Sequence, residues 1–258
     1  MESRLGRTLC ILTGASRAFN RSLALALASR MVAGSAMLIN SRNYGTLRTL
    51  STELGKTRPG LQVVCVSIDL SGEPGLQQLL QVLPRPPDME QLLLILEAGT
   101  IGDVSKKVVD FTDLAEVNHY WAVNVTSTLC LTARILSAFP SSPNLKRTVV
   151  NISSSCAVKP TKLWSLYCTA KAARSMLFRV LAEEEPSVRV LSYAPGPLDT
   201  EINQGSPQKN KELEQKPSLS KSRVIQSLVD WSVYAQKLLD LLEADTFESG
   251  AHIDFFDE

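Results

Sequence analysis

The chain has 258 residues, of which 44% are hydrophobic and 21% are charged, and its formal net charge is +1 at neutral pH. This composition is typical of a folded globular protein and excludes a disordered chain. The near-zero charge argues against nucleic acid or an anionic membrane as a partner, and the longest apolar stretches are too short to span a bilayer.

Short apolar segments alternate with helical patterns in the first half of the chain. The sequence predicts strands at 8–12, 36–39, 61–68 and 91–96. Helices are predicted after Gly14, at 44–54 and at 75–83. Nearly continuous apolar strands are typical of a parallel sheet that is covered on both faces.

The same alternation continues in the second half. The sequence predicts a long helix at 114–139, a strand at 147–153, a helix at 164–184, a strand at 188–193, a helix at 223–243 and a strand at 251–255. The polar stretch 204–222 predicts a mobile loop. Together these elements predict an α/β fold in one domain over residues 1–258. Its core would be a single Rossmann-type, doubly wound, parallel seven-stranded sheet flanked by helices on both faces.

The cysteines and histidines predict neither disulfides nor a metal site. The five cysteines are odd in number and include no C-x-x-C pair, so we expect reduced core residues in an intracellular protein. The two histidines, His119 and His252, share no ligand-like spacing, and we expect no metal. The N-terminus lacks the pattern of a signal peptide, so the expected location is cytoplasmic.

Ligands of a doubly wound sheet bind beyond the carboxyl ends of its strands, so the residues after each strand are the candidates for a site. After the first strand, residues 13–20 read TGASRAFN, which resembles the T-G-x-x-x-G-x-G loop of the short-chain dehydrogenase/reductase family. Glycines in such a loop let the backbone approach a pyrophosphate at a helix N-terminus. Gly14 is present, whereas Ala18 and Asn20 replace the other two glycines. By itself the segment also fits a plain strand-to-helix turn.

The ends of the next three strands carry further parts of a predicted nucleotide site. Arg42 follows the second strand where NAD enzymes usually have an acid, and with Arg17 it would bind a 2′-phosphate, although a single arginine is more often a solvated surface charge. Asp69 resembles the family position beside adenine, or alternatively caps a helix. After the fourth strand, residues 96–99 read LEAG in place of the family's N-N-A-G, and Glu97 there needs solvent or a cation partner.

A candidate catalytic set follows the fifth strand. Tyr167 and Lys171 lie four residues apart on one predicted helix, which places both side chains on one face, one turn apart. A lysine ammonium there favours the phenolate and lowers the tyrosine pKa from its usual value of about 10. Ser154, at the strand end, would hold a carbonyl oxygen. The tyrosine and lysine alone would also fit an ordinary amphipathic helix.

The spacing of these three residues resembles the catalytic set of the short-chain dehydrogenase/reductase family. Asn124 matches the family asparagine that supports a proton relay to the lysine, or is alternatively an amide satisfied inside a helix kink. Residues 195–200, PGPLDT, resemble the P-G-x-x-x-T loop beside the nicotinamide. The resemblance implies an NADP(H)-dependent oxidoreductase whose cofactor-binding residues are Gly14, Ser16, Arg17, Ala18, Phe19, Arg42, Asn43, Asp69, Leu70, Ala98, Gly99, Tyr167, Lys171, Pro195, Gly196, Leu198 and Thr200.

Several other stretches resemble the members of this family that reduce side-chain carbonyls of pterins. They include residues 164–168 (WSLYC) and 249–257 (SGAHIDFFD). The resemblance implies a homodimer and a pterin substrate. Asp254 would anchor that substrate, because a carboxylate accepts from the N–H donors of the pterin ring, or would otherwise be a surface acid near the terminus. The implied substrate-binding residues are Ser154, Trp164, Tyr167, Gly196 and Asp254.

Two alternatives stay open. The first is a reductase of the same fold that acts on other carbonyl compounds. The second is a diverged relative that binds the cofactor weakly and serves as a non-catalytic binding protein, which Ala18, Asn20 and Glu97 would favour.

Overall fold

Seven parallel strands form one sheet in the computed structural model, which describes residues 5–16, 18–196 and 230–257. The strands lie in the order β3-β2-β1-β4-β5-β6-β7, and every neighbouring pair is parallel. Strands β1, β2 and β4 are buried along their whole length, which explains their unbroken apolar sequence. The strand bounds are β1 Thr8–Thr13, β2 Ala36–Asn40, β3 Gln62–Val66, β4 Gln91–Leu96, β5 Lys146–Ile152, β6 Val188–Ala194 and β7 Ala251–Asp254.

Helices cover both faces of the sheet, so the predicted doubly wound fold is confirmed. On one face, Leu23 of the first helix and Leu238 of the last pack into one apolar core. On the other face, Ile135 and Phe178 pack into a second core. The described helices are α1 Ala18–Arg30, α2 Tyr44–Thr57, α3 Glu73–Gln81, α4 Leu114–Trp121, α5 Ser127–Ala138, α6 Ser165–Glu184 and α7 Trp231–Ala244.

The prediction of a single helix at 114–139 is wrong in one respect. Helix α4 ends at Trp121, and Ala122–Thr126 form a π-helical turn before α5 begins. The backbone N–H of Ser127 donates to the carbonyl of Ala122, five residues earlier. One widened turn leaves the apolar periodicity almost unchanged, so the pattern gives no sign of it. Such turns are frequent at functional sites, and this one contains Asn124.

The carboxyl ends of β1 and β4 form the point at which the strand order reverses. From β1 the chain continues to β2 on one side, and β4 is added later on the other side. The chain segments that leave these two strands therefore diverge and open a crevice between them, where doubly wound sheets bind ligands. The predicted loop at 204–222 and residues 223–229 of the last predicted helix lie outside the described residues.

Candidate active site

A cleft of about 370 Å³ opens at this crevice. Seven of the residues predicted to bind the cofactor line it, contributed by the ends of β1 to β4: Gly14, Ser16, Arg42, Asp69, Leu70, Ala98 and Gly99. A Cβ atom at Gly14 would lie 3.0 Å from the backbone nitrogen of Ala98, and Gly14 has a φ of +74°, so both space and backbone conformation favour glycine there. Helix α1 begins close to Ser16, so its N-terminus lies beside the cleft, where the backbone N–H groups of a helix can bind a phosphate.

Other predicted cofactor residues do not line this cleft. Phe19 is 2% exposed and belongs to the apolar core, so only its backbone could meet a phosphate. Asn43 caps α2, and its Oδ1 accepts from the backbone N–H of Thr46 at 3.2 Å. Ala18 is exposed at the first position of α1. Three further predicted residues, Arg17, Leu198 and Thr200, lie outside the described residues.

Asn20, which replaces a family glycine, turns away from the cleft. Its side chain is completely buried, and its Nδ2 donates to the carbonyls of Gly14 at 2.8 Å and Thr13 at 3.2 Å. The amide therefore ties α1 to the end of β1 from beneath the loop. Its bulk leaves the cleft open, which removes one sequence-based objection to cofactor binding.

Arg42 and Asp69, which line one part of the cleft, carry opposite charges. The carboxylate of Asp69 accepts from the backbone N–H of Ser71 at 2.9 Å, and this bond is the main reason that its pKa is lowered. The positive charge of Arg42 and the imidazole of His119 lower the pKa of Asp69 further. His119 lines the cleft beside these groups, a position that sequence reasoning missed.

The segment after β4 is held against β1 and against the catalytic helix. The hydroxyl of Thr13 accepts from the backbone N–H groups of Glu97 and Ala98, each at 3.1 Å. Arg174 of α6 donates to the carbonyls on either side of Glu97, those of Leu96 at 2.6 Å and Ala98 at 3.3 Å. Glu97 is 4% exposed, and its negative charge interacts electrostatically with the positive charge of Arg174.

Tyr167 and Lys171 share one face of α6, as predicted from their spacing. Lys171 is buried, and its Nζ donates to the carbonyl of Ile152 at 2.6 Å. The same Nζ lies 5.5 Å from the centroid of the Tyr167 ring. The end of β5 thus fixes the ammonium beside the tyrosine, where a positive charge favours the phenolate.

The three serines after β5 have different surroundings. Ser153 is buried, and its Oγ lies 3.0 Å from Nε2 of His252 on β7. Ser155 is exposed. Ser154 is half-buried and begins a short 3-10 turn, in which its Oγ accepts from the backbone N–H of Cys156 at 3.2 Å. That bond uses the oxygen as an acceptor and leaves the O–H able to donate to a substrate carbonyl.

Asn124 lies buried in the π-helical turn and positions the wall of the cleft. Its Oδ1 accepts from the backbone N–H of Thr100 at 2.9 Å, and its Nδ2 donates to the carbonyl of Tyr120 at 2.9 Å. Gly99 leaves room for this amide, because a Cβ there would lie 2.6 Å from Oδ1. The side chain is thus satisfied within a distorted helix, and its part in a proton relay stays a prediction.

The predicted substrate residues lie at the same edge of the sheet. The rings of Trp164 and Tyr167 meet edge to face with their centroids 5.5 Å apart. Leu163, just before Trp164, has a φ of +72°, a strained conformation for leucine that is typical of functional sites. Asp254 ends β7 half-buried, and its Oδ1 accepts from the backbone N–H of Phe256 at 3.1 Å. Gly196 packs against the ring of Phe256.

Sequence reasoning missed the most deeply buried charge of the site. Arg174 lies seven residues after Tyr167 and three after Lys171, on the same face of α6. It is 2% exposed, and burial lowers its pKa to about 10. The available signal was a third polar residue at helical spacing from the catalytic pair.

The described parts of the chain contain neither a group of metal-ligating side chains nor a helix that could span a membrane. Within residues 5–16, 18–196 and 230–257, no three His, Cys, Asp or Glu side chains are grouped so that they could hold a metal ion. None of the helices described is both long and apolar enough to cross a membrane. All five cysteines are free thiols, and burial raises the pKa of Cys10 to about 12.

Comparison with known proteins places this geometry in a family. Residues 8–211 match the short chain dehydrogenase family. The sepiapterin reductase of Bos taurus is 58% identical, over 98% of this chain and 96% of that protein, and that of Rattus norvegicus is 55% identical, over 98% of each. A short-chain dehydrogenase/reductase structure from Saccharomyces cerevisiae superposes with a TM-score of 0.75 at 21% identity, covering 97% of this chain and 96% of that one, and shares the fold. The chain therefore belongs to the short-chain dehydrogenase family of oxidoreductases and is similar to sepiapterin reductases along nearly its whole length.

Proposed function

We propose that this protein reduces a side-chain carbonyl of a pterin with NADPH, converting sepiapterin to dihydrobiopterin in the last stage of tetrahydrobiopterin synthesis. The observation that carries the proposal is the arrangement of Ser154, Tyr167 and Lys171 at the carboxyl ends of the strands, the same edge of the sheet at which the cleft opens. The 58% identity to a sepiapterin reductase supports the choice of substrate.

Each catalytic group has one task in this mechanism. The carbonyl carbon would accept a hydride, the chemistry that NADPH would supply when bound. The Ser154 hydroxyl donates to the carbonyl oxygen and orients it. Tyr167 donates its phenolic proton to that oxygen as the alcohol forms. The Lys171 ammonium, held by the carbonyl of Ile152, stabilises the phenolate left behind, and Asn124 keeps the cleft wall in place.

Preference for NADPH over NADH is assigned to Arg42. Its side chain lines the cleft, and no acid takes the place after β2 where NAD enzymes usually carry one. In Arg42→Ser, we expect the KM for NADPH to rise about 10- to 100-fold while that for NADH changes little, because a charged hydrogen bond to the 2′-phosphate is lost. Arg48→Ser, an exposed position on α2, is the matched control. Equal losses for both cofactors would contradict the assignment.

Asp254 is proposed to bind the pterin ring. Replacement by Asn keeps an acceptor for the backbone of Phe256 and removes the charge that would meet the ring N–H donors. We expect kcat/KM for sepiapterin to fall about 10- to 100-fold, and that for a small diketone without a pterin ring to stay nearly constant. A parallel loss for both substrates would indicate a structural role for Asp254 and would contradict its assignment to the pterin ring.

A cytoplasmic homodimer completes the proposal. Helices α4 to α6 expose the apolar side chains Leu114, Leu129, Met176 and Val180, which suits pairing of two copies through these helices. A monomeric mass in solution at micromolar concentration would contradict the dimer.

A non-catalytic binding protein is the competing function. Ala18 and Glu97, which replace residues of the family pattern, are the features in its favour. A ligand well above its Kd stabilises the folded state by a few kcal/mol, so a melting temperature that does not respond to NADPH would favour this alternative.

A further inference from the structure

A fully buried arginine lies directly beneath the proposed catalytic pair. Arg174 occupies the face of α6 that carries Tyr167 and Lys171, and its guanidinium is directed towards the ends of β4 and β5. Its Nε donates to Oδ1 of Asn151 at 2.9 Å, while its two terminal nitrogens donate to the carbonyls of Leu96, the last residue of β4, and of Ala98 just beyond it. The mechanism above does not use this charge.

A buried cation is costly unless an anion compensates it. Glu97 is an anion whose charge acts on Arg174, and it is itself buried between Leu96 and Ala98, the residues whose carbonyls Arg174 binds. Burial lowers the pKa of Arg174 to about 10, while Tyr167 and, less strongly, the negative charge of Glu97 raise it, so the arginine stays charged at neutral pH. The family pattern has an uncharged asparagine in place of Glu97, so this chain adds an anion there.

We propose that Arg174 and Glu97 form a buried charge pair that sets the proton affinity of Tyr167, with Arg174 favouring the phenolate and Glu97 opposing it. Both act as positioning residues, since neither needs to touch the substrate. The inference rests on the proposed function, because it concerns the proton donor of that reaction.

Charged and titratable groups act on Tyr167 directly or through Arg174. Lys171 and Arg174 lie on its own helix, Tyr120 approaches from α4, and the charge of Glu97, which follows β4, acts on Arg174. Burial and the neighbouring Tyr167 raise the pKa of Tyr120, so this second phenol stays protonated and neutral. Cys168 is also neutral, since burial raises the pKa of its thiol. The two cations and one anion therefore decide the balance.

The sign of each effect follows from charge. Tyr167 must be protonated to act as a donor, so carbonyl reduction slows as pH rises through its pKa. Removing the anion in Glu97→Gln, or in Glu97→Asn with the residue of the family pattern, leaves the cations unopposed and moves that falling limb to lower pH. Removing the cation in Arg174→Gln moves it to higher pH, and Arg174→Lys restores part of the shift. We expect movements of about one pH unit.

Two measurements test the proposal. The first is kcat for sepiapterin as a function of pH for these variants, with Glu53→Gln, whose carboxylate pairs with Arg21 on the surface, as the matched control. The second is an ultraviolet titration of tyrosinate, in which the difference between each protein and its Tyr167→Phe counterpart isolates Tyr167. Opposite shifts for the Glu97 and Arg174 variants, and none for the control, support the charge pair.

The proposal would be overturned if the falling limb of the pH profile moved in the same direction in the Glu97 and Arg174 variants. It would also be overturned if the limb did not move in either Glu97 variant. If Arg174→Gln fails to fold because two buried carbonyls lose their donor, the Glu97 variants still decide the question. If the folded wild-type protein turns over no pterin, the proposed function fails, whereas the tyrosinate titration, which needs no turnover, still decides the inference about Tyr167.

Discussion

Replacing Tyr167 by Phe should lower kcat for NADPH-dependent carbonyl reduction by about 100- to 10,000-fold, because the proposed mechanism assigns proton donation to this phenol. The ring remains, so its edge-to-face contact with Trp164 and the fold should be preserved. The Kd for NADPH and the melting temperature are expected to stay close to the wild-type values. Stopped assays of pterin loss measure kcat, and a fluorescence titration with NADPH measures the Kd.

Tyr44→Phe is the matched control for that experiment. Tyr44 is 56% exposed at the start of α2, and losing its hydroxyl should leave kcat unchanged. If Tyr167→Phe retained a tenth or more of the wild-type kcat, with substrate binding intact, Tyr167 could not be the principal proton donor, since general acid catalysis of this kind contributes at least about 100-fold.

Lys171→Met should cause the second large loss, of about 100- to 1,000-fold in kcat at neutral pH. Methionine fills a similar volume, but it removes the ammonium that favours the Tyr167 phenolate and leaves the carbonyl of Ile152 without this donor. An unpaired buried carbonyl costs about 1–3 kcal/mol, so the free energy of unfolding should fall as well. Assays of kcat against pH and denaturant unfolding measure the two effects separately.

The exposed Lys56→Met on α2 controls for loss of a lysine charge without loss of the buried contact. A loss of stability in Lys171→Met with no change in kcat would show that the lysine is structural only.

The sheet could be predicted because each strand is identified by the apolar composition of its own short segment of sequence. Strands buried on both faces must be apolar throughout, as β1 and β4 are, and this signal does not depend on residues elsewhere in the chain. The spacing of Tyr167 and Lys171 was equally informative, since helical geometry alone places them together.

Features that depend on distant contacts could not be predicted in the same way. The buried Glu97 has a positive charge acting on it from Arg174, which is far away in sequence and reaches the carbonyls on either side of Glu97. The bulk of Asn20 is harmless because its amide bonds beneath the loop, which sequence alone does not reveal. The π-helical turn at Asn124 leaves the apolar periodicity of the segment almost unchanged, so the sequence predicts one continuous helix there.

The central claim is that this site is a working pterin reductase in spite of Ala18, Asn20 and Glu97. It is tested most directly by following sepiapterin and NADPH together in the presence of the purified wild-type protein. The account predicts that both disappear in equal amounts over many turnovers. A folded protein that consumes neither would contradict it and would leave a non-catalytic binding protein as the better interpretation.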